Sequence, residues 1–481
     1  FNDDDYILFY AEGLDNWNIE SQTHGNLYAS KSYYYITAQG IDGQRIPDMA
    51  QPSGSPTLII PTFDDYQYHE LDKVNVVRTG RRWFGEQFNI ENVQEFNFEF
   101  PNIVTASQID LSVTAGAAAF TATSLKVEAN SQAVGTINFS ALVANSGTEL
   151  IINSLPASTT IPASAAVNIK LTYDNNAVPS SKGYLDYIIL KAKRNLQGYG
   201  KQFRFQYNNS SSSFGIGEYQ LTNASGIKEI FDITDIYNAT KTENPNQSSF
   251  SFKADMGALR NYIAVDAADY YSPLKDSQSK VANQDLQGTI FKNASGQFQD
   301  IDYLIITPAC LNGQAEKLAN FHRNYSQLNV KVVNLESIYP EFSSGKQDLA
   351  AIRNFVKYVY ENASVPGKRV QYVNLFGDAS FDFKDRIPNN TNIVPIFHAL
   401  NSTTGGEQSF ASDDFFGLMD PIEGNIISFF GGIDIAVGRM LVSSNQQAEE
   451  MVNKVIEYHD LQSYGNWSNN CVYLSVDYDK T

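Results

Sequence analysis

The chain has 481 residues, a length that predicts about three domains at roughly 150 residues each. Its hydrophobic fraction of 42%, against 18% charged residues, predicts buried cores and argues against wholesale disorder. The formal net charge of −19 disfavours a nucleic-acid-binding protein, because binding to phosphates requires a basic face.

Cysteine content and hydropathy exclude further classes of protein. Cys310 and Cys471 are the only cysteines, so one disulfide is possible, whereas a disulfide framework and a cysteine-based zinc site are excluded. No apolar run approaches the ~18 residues of a membrane helix. The chain starts at Phe1, without an initiator Met or a signal peptide, and ends shortly after an apolar run. We therefore expect a processed product or an excised piece of a longer protein.

Short apolar runs that alternate with polar residues fill the first ~280 residues, and turn-forming residues separate them, as in antiparallel sheets. The clearest runs are Tyr6–Tyr10, Tyr33–Thr37, Thr57–Ile60, Phe96–Phe100 and Tyr184–Leu190. We predict three all-β segments of sandwich or barrel type. They are a β-rich module over 1–95, a jelly-roll-like β-sandwich over 96–198, and a β-rich extension and linker over 199–285.

After Asp300 the pattern changes to continuously apolar strands that alternate with helical stripes. The predicted strands are Tyr303–Thr307, Val330–Leu335, Val370–Phe376, Ile433–Val437 and Val472–Val476. One predicted helix begins near Ser344, Gly345 and Asp348, and the pair Ser443 and Ser444 could cap another. This alternation predicts an α/β domain over 286–481 with a mostly parallel sheet that is covered on both faces.

Polar residues near the predicted strand ends are the candidate site, because sites in such sheets form at the carboxyl ends of the strands. Asp378, Asp413, Asp414 and Arg439 could form a site rim. A carboxylate there could orient a histidine, bind a cationic group, or bind calcium, although no cofactor is expected. The structural alternative is that Asp413 or Asp414 pairs with Arg439 and closes the sheet edge.

No complete catalytic constellation is present. The five histidines do not assemble a motif, and the GxxxxGK[ST], GxSxG and HExxH patterns are absent. Gly215 and Gly217 lack the third glycine of the dinucleotide fingerprint. The residues alone therefore name no reaction.

Several strings, taken in order, resemble the gingipain-type cysteine peptidases, whose catalytic fold is caspase-like. The strings are Tyr303–Thr307, Tyr372–Asp378, Ser412–Gly417 and Asp434–Met440, followed by the helix that ends at Val455–Tyr458 and the strand at Val472–Val476. Further strings at Tyr66–Asp72, Gly80–Glu86 and Phe342–Asp348 resemble the sortases of the type IX secretion system within that family. The aromatic Trp83 is expected to be structural, packed beside Arg81 or Arg82.

The resemblance implies a surface-associated cysteine endopeptidase. Such sortases are thought to remove a carboxy-terminal sorting domain from exported proteins and to pass the acyl group to an amine of anionic lipopolysaccharide. The implied partners are those exported proteins, that lipopolysaccharide and an outer-membrane secretion component. The implied location is the cell surface, associated with the outer membrane and without a transmembrane segment.

One feature of the family is missing. In the family the catalytic histidine lies in a Gly-His-Gly string and the cysteine follows a later strand, both after the strand that corresponds to Val472–Val476. We therefore expect the dyad beyond residue 481 and an inactive chain on its own.

Asp477 or Asp479 could be an acidic partner of the histidine. Cys310 lies in a string that looks like the family's nucleophile, but it follows the first strand, so it is interpreted as a decoy, a packed thiol at a strand end; Cys471 is interpreted as a core residue.

A second hypothesis belongs to another class. The β-rich part could be a cell-surface adhesin or carbohydrate-binding protein, fused to a degenerate and non-catalytic α/β domain. Exposed tyrosines and tryptophans would then stack on sugars, although these aromatics could equally form sheet core. Under the peptidase hypothesis, we expect residues 290–481 alone to aggregate or to form a molten state, because a parallel sheet cut after its fifth strand exposes an apolar edge.

Overall fold

A computed structural model describes most of the chain. The described residues are 7–18, 21–37, 43–143, 151–153, 157–275, 280–281, 283–400, 409–421, 423, 432–465 and 470–471. The chain divides into two compact units. The first, here the β unit, comprises Phe1–Asn26, Tyr34–Val281 and Leu400–Ser409, and the second, here the α/β unit, comprises Leu27–Tyr33, Ala282–Ala399 and Phe410–Thr481.

The β unit contains seventeen strands among its described residues. They are β1 (Leu58–Ile60), β2 (Thr62–Glu70), β3 (Gln87–Phe88), β4 (Val93–Glu99), β5 (Gln108–Ala118), β6 (Thr123–Ala129), β7 (Gln132–Phe139), β8 (Ile152–Asn153), β9 (Ala157–Pro162), β10 (Ala166–Asp174), β11 (Lys182–Asn195), β12 (Phe203–Gln206), β13 (Ile216–Leu221), β14 (Ile227–Asp232), β15 (Thr240–Glu243), β16 (Phe250–Asp255) and β17 (Asn261–Asp266).

These strands form three sheets. The largest has ten strands in the order β15-β14-β17-β12-β2-β11-β5-β8, with β3 paired to β11 and β9 paired to β5. A four-stranded sheet has the order β4-β10-β6-β7, and a three-stranded sheet has the order β1-β13-β16. Within the ten-stranded and four-stranded sheets all pairs of named strands are antiparallel, as predicted, whereas β1 and β13 are parallel.

Alternation of buried and exposed side chains builds the sandwich core. On β10, Val167, Ile169, Leu171 and Tyr173 are buried, and the residues between them are not. They share one apolar cluster with side chains of β5 and β11, which belong to the other sheet. Each such side chain contributes roughly 1.5–3 kcal/mol when fully buried. The sequence prediction of stacked antiparallel sheets is confirmed.

Two predicted strands of the β unit are wrong. Residues 7–10 and Tyr33–Thr37 have no strand assignment, and Tyr35 and Ile36 are exposed. Both are short apolar and aromatic runs of the kind that strands contain, but no described strand pairs with them. β2 pairs with both β11 and β12, so one sheet crosses the predicted segment boundaries at 95/96 and 198/199.

The α/β unit has five helices and six strands among its described residues. The helices are α1 (Leu286–Thr289), α2 (Asn312–Tyr325), α3 (Leu335–Phe342), α4 (Leu349–Glu361) and α5 (Asn445–Tyr458). The strands are β18 (Tyr303–Thr307), β19 (Val330–Asn334), β20 (Tyr372–Phe376), β21 (Phe397–His398), β22 (Ala411–Ser412) and β23 (Ala436–Met440).

Four of these strands form a parallel sheet with apolar cores on both faces. The order is β19-β18-β20-β23, and every pair is parallel. Leu304 and Ile306 of β18 pack in a cluster with α3 and α4, whereas Ile305 packs in a second cluster with α2 and α5. Successive residues of a strand point to opposite faces, so a strand buried on both sides is continuously apolar. The predicted covered parallel sheet is confirmed.

Asp348 and Ser444 cap helices near the predicted helix starts, whereas some strand boundaries differ from the prediction. The Asp348 side chain accepts a hydrogen bond from the Ala350 N–H and that of Ser444 accepts one from the Gln447 N–H, at the starts of α4 and α5. Leu335, predicted as the end of a strand, begins the unpredicted α3. The fourth strand runs over Ala436–Met440 instead of Ile433–Val437, because the Asp434 N–H and carboxylate bind Gly417 and Met419 instead of a strand. The predicted strand Val472–Val476 lies outside the described residues.

Candidate functional site

Arg439 organises the polar groups at the carboxyl end of the parallel sheet. It lies in β23, and its guanidinium binds the Asp413 carboxylate through both oxygens, with Nε to Oδ2 at 2.8 Å and Nη2 to Oδ1 at 2.7 Å. Its side chain is only 6% exposed. A fork that donates two parallel hydrogen bonds from a buried position fixes geometry as well as charge. The predicted pairing of Asp413 with Arg439 is therefore confirmed.

The same guanidinium also holds the backbone beside this edge. Nη1 donates to the carbonyls of Gly377 at 2.9 Å and Val394 at 2.6 Å, and Nη2 donates to that of Pro395 at 3.3 Å. Buried carbonyls need such donors. Arg439 thus ties the end of β20, the segment before β21 and Asp413 into one assembly.

Asp414 and Asp378 have backbone-related roles in this assembly. Asp414 starts a 3₁₀ turn over Asp414–Gly417, and its N–H donates to the Ser412 hydroxyl. The Asp378 N–H donates to the Val442 carbonyl, and its own carbonyl accepts from the N–H groups of Ile393 and Val394. The two residues lie at the predicted rim, but Asp414 is not the partner of Arg439.

Asp382 is a fully buried carboxylate that sequence reasoning missed. Its oxygens accept hydrogen bonds from the backbone N–H groups of Lys384, Arg386 and Ile387, and from Arg386 Nε at 2.9 Å. Burial acts to raise the pKa of Asp382, but these donors outweigh it and hold the pKa below its usual value. The signal in the sequence was Asp382 followed by Arg386 in a stretch of turn-forming residues.

Neither thiol is packed, contrary to prediction. Cys310 lies on a 3₁₀ turn over Ala309–Leu311, between β18 and α2, and is exposed. Cys471 is exposed as well, and the two cysteines are not joined in a disulfide. The polypeptide turns outward as β18 ends, so a thiol there faces solvent, whereas the neighbouring Leu311 is buried.

The histidines of the α/β unit bind groups other than the thiols. His322 Nδ1 lies 3.0 Å from Ser326 Oγ, and His459 Nδ1 lies 2.8 Å from the Val455 carbonyl oxygen. Burial and the neighbouring His459 lower the pKa of His322. Among the described residues, no hydrogen bond joins a histidine to Cys310 or Cys471. The structure thus brings the rim residues together but forms no thiol–imidazole pair from the described residues.

In the β unit, buried ionisable groups cluster where the segment around His24 meets β2. Glu70 accepts hydrogen bonds from the Thr23 hydroxyl, the His24 N–H and His24 Nδ1, the last two at 2.8 Å. Nearby, Asp186 of β11 binds Arg82, and burial raises its pKa to about 6 despite that partner. Trp83 is buried, in agreement with its predicted structural role.

Asp477 and Asp479 lie outside the described residues. Across the described part of the chain, no group of three or more His, Cys, Asp or Glu side chains could hold a metal ion, and no helix is long and apolar enough to cross a membrane.

Comparison with known proteins finds a peptidase family that is similar to the α/β unit. Residues 297–481 match the model of peptidase family C25, which is a cysteine peptidase family. This part of the α/β unit is therefore similar to peptidase family C25. The matched C25 segment contains β18 to β23 and all of the predicted rim residues.

A solved structure extends the similarity beyond the C25 segment. The crystal structure of dimeric latent PorU from Porphyromonas gingivalis matches 89% of this chain with a TM-score of 0.75 and 21% sequence identity. The two proteins therefore share a fold that includes the β unit. The chain spans 41% of the PorU chain.

Two further solved structures match the chain with low scores. A CBM36-1 domain of a xylanase from the hindgut metagenome of Trinervitermes trinervoides matches 26% of this chain and 96% of its own, with 13% identity and a TM-score of 0.16. A carbohydrate-binding module CBM36 in complex with calcium and xylotriose matches 24% of this chain and 98% of its own, with 15% identity and a TM-score of 0.14. These scores carry no conclusion on fold or function. No curated protein sequence matches the chain significantly.

Proposed function

We propose that this chain forms part of a cell-surface cysteine endopeptidase of the sortase type. The observation that carries the proposal is the C25 match over residues 297–481, in a unit whose four parallel strands are buried between two helical layers. The fold shared with PorU over 89% of the chain supports the sortase type.

The proposed chemistry is acyl transfer by a thiolate. A histidine removes the thiol proton, the sulfur attacks the carbonyl carbon of the scissile peptide bond, and backbone amides stabilise the oxyanion. We propose that residues outside Phe1–Thr481 supply this dyad and that the chain alone is inactive. Among the described residues, Cys310 and Cys471 have no histidine as a hydrogen-bond partner, which supports this assignment.

The proposed substrates are exported proteins with a carboxy-terminal sorting domain. Cleavage of the peptide bond releases the sorting domain with a new amino terminus and leaves the exported protein as a thioester on the enzyme. An amine of anionic lipopolysaccharide then attacks the thioester, forms an amide and returns the thiol. The enzyme would act at the outer surface, bound to an outer-membrane component of type IX secretion. Calcium binding remains an open prediction.

The role of Asp378, Asp413 and Arg439 in this proposal is positional. They lie at the carboxyl end of the sheet, where sites of such folds form, and their hydrogen bonds are made to one another and to nearby backbone. We propose that Arg439 fixes the loops that border the substrate cleft and does not contact the reacting atoms.

The test uses the protein as the cell makes it, incubated with a purified exported protein that carries its sorting domain and with lipopolysaccharide from the same cells. Mass spectrometry should find the free sorting domain and the exported protein joined to lipopolysaccharide through an amide. The C310A variant should retain this activity, and the Phe1–Thr481 chain should lack it. Intact substrate with the cell-made protein would contradict the peptidase proposal, and cleavage that yields only a free carboxylate would contradict the transferase part.

A further inference from the structure

An open groove of about 530 Å³ lies within the β unit. Its walls come from the segment around Tyr10, from β2, from β12, and from the turn that follows β14. Tyr10, Tyr66, Arg204 and Tyr237 are among the residues that line it. A concave site with convergent polar groups is the usual form of a small-molecule site.

Exposed aromatic rings flank this groove. Tyr237 is 87% exposed and Tyr66 is 44% exposed, although most large aromatic side chains of this unit, such as Tyr219 and Tyr262, are core residues. Tyr237 is held by a local turn in which the Asp235 side chain accepts the Tyr237 N–H. Exposing an apolar ring to water is unfavourable for the free energy of folding. The exposed ring, however, offers a flat apolar face to a ligand.

Four carboxylates and one guanidinium line the groove, and two of the carboxylates are already paired with cations. The carboxylates of Asp64 and Asp65 each form an ion pair, with Lys193 and Arg194 respectively. Arg204 donates to the Tyr10 hydroxyl at 2.8 Å and its guanidinium stays at the groove wall, where Glu12 and Asp235 supply opposite charge. This acidic lining would repel an anionic ligand, whereas a neutral ligand with many hydroxyls would find both donors and acceptors.

We propose that this groove binds a neutral saccharide, with Tyr66 and Tyr237 against the apolar faces of sugar rings. Arg204 and Asn261 would donate to sugar hydroxyls, and Glu12 would accept from them. Such a site goes beyond the proposed peptidase activity, because every residue of the groove belongs to the β unit and none belongs to the C25 segment.

The test is calorimetric titration of the 481-residue chain with maltohexaose, mannohexaose and chitohexaose, each up to millimolar concentration. At least one should bind, and Tyr237→Ala and Tyr66→Ala should each weaken it roughly tenfold, because each removes a stacking face. Tyr66→Phe should bind as the original chain does. Tyr271→Ala, which removes a tyrosine that is 78% exposed but does not line the groove, is the matched control and should have no effect.

Hexalysine and hexagalacturonate test the charge argument in the same assay. Neither should bind more tightly than the best neutral hexasaccharide. Failure of all three neutral sugars to bind, binding by both tyrosine-to-alanine variants as tight as that of the original chain, or tighter tyrosine-dependent binding of a charged hexamer would each overturn the proposal. These outcomes are independent of peptidase activity, because the assay measures binding to the β unit.

Discussion

Two buried aspartates, one in each unit, differ in how the surrounding residues stabilise the ionised carboxylate. Asp382 in the α/β unit receives three backbone N–H groups and the Arg386 side chain, and its pKa is lowered. Asp186 in the β unit has Arg82 as its described hydrogen-bond donor, and its pKa is raised to about 6. One ion pair does not offset burial there, whereas a converging set of donors does so at Asp382.

The comparison teaches what polar residues do in each unit. In the α/β unit, Asp382 and Arg439 each bind several backbone groups, so they fix the loops around the carboxyl end of the sheet. In the β unit, Asp186 lies within a packed sheet and its ionisation opposes folding. Buried charge therefore shapes loops in the first case and couples stability to pH in the second.

The largest expected effect comes from breaking the loop assembly of the α/β unit. Arg439→Ala removes five hydrogen bonds and leaves Asp413 without its partner, so we expect a loss of about 3–5 kcal/mol in the free energy of unfolding of this unit. Urea denaturation of the full chain, with hydrogen exchange over 377–395, measures it.

Two variants at the same edge are the controls. Arg439→Lys keeps the charge without the fork and should recover only part of the loss. Asp414→Asn alters the neighbouring carboxylate, which is not the partner of Arg439, and should stay within about 0.5 kcal/mol of the original chain. An equal loss for the Asp414 and Arg439 variants would refute the assembly described here.

The second effect concerns the sign of the pH dependence at Asp186. Its folded-state pKa of about 6 exceeds the ordinary aspartate pKa of 3.8, so the native state binds the proton more tightly than the unfolded state does. Its contribution to stability is therefore fully present below pH 4 and is lost as the pH rises through about 6. Relative to Asp186→Asn, which does not titrate, the original chain should lose about 2.4 kcal/mol between pH 4 and pH 7.

Chemical denaturation at several pH values measures this difference. The Asp382→Asn variant gives the opposite comparison, because a lowered folded-state pKa adds stability that is lost on acidification. A constant difference between the original chain and Asp186→Asn across this pH range would show that burial of Asp186 does not govern its ionisation.

The smallest effect tests a predicted helix start. Ser444→Ala removes the side-chain oxygen that accepts from the Gln447 N–H at the start of α5, and should cost about 1 kcal/mol. Ser444→Asp retains an acceptor and should cost less. Thermal unfolding of the full chain compares them, and an equal cost for both would exclude capping as the reason for the serine.

The α/β unit was the more predictable part of the fold for a physical reason. A strand buried on both faces, such as Tyr303–Thr307, is continuously apolar, and Asp348 and Ser444 mark helix starts by local hydrogen bonds. In the β unit, alternation located strands such as β10 and β11 but could not show that β2 pairs with β11 and β12. The apolar run at Tyr33–Thr37 was wrongly predicted to be a strand, because strand formation depends on a distant partner.

The candidate site was predictable only where charge complementarity was strong. The sequence allowed either Asp413 or Asp414 as the partner of Arg439, and backbone geometry chose Asp413. Asp382 was missed because three of its four donors are backbone N–H groups, and only Arg386 leaves a signal in the residue pattern. The groove of the β unit was missed as well, since it joins residues as distant as Tyr10 and Tyr237.

Active-site labelling of the protein as the cell makes it bears most closely on the proposed peptidase. The protein is treated with an irreversible peptidyl acyloxymethyl ketone, residual activity is measured, and the modified cysteine is located by mass spectrometry. We predict that inactivation tracks the labelling of one cysteine outside Phe1–Thr481. Inactivation that tracks labelling of Cys310 or Cys471, or full activity after complete thiol modification, would contradict the account.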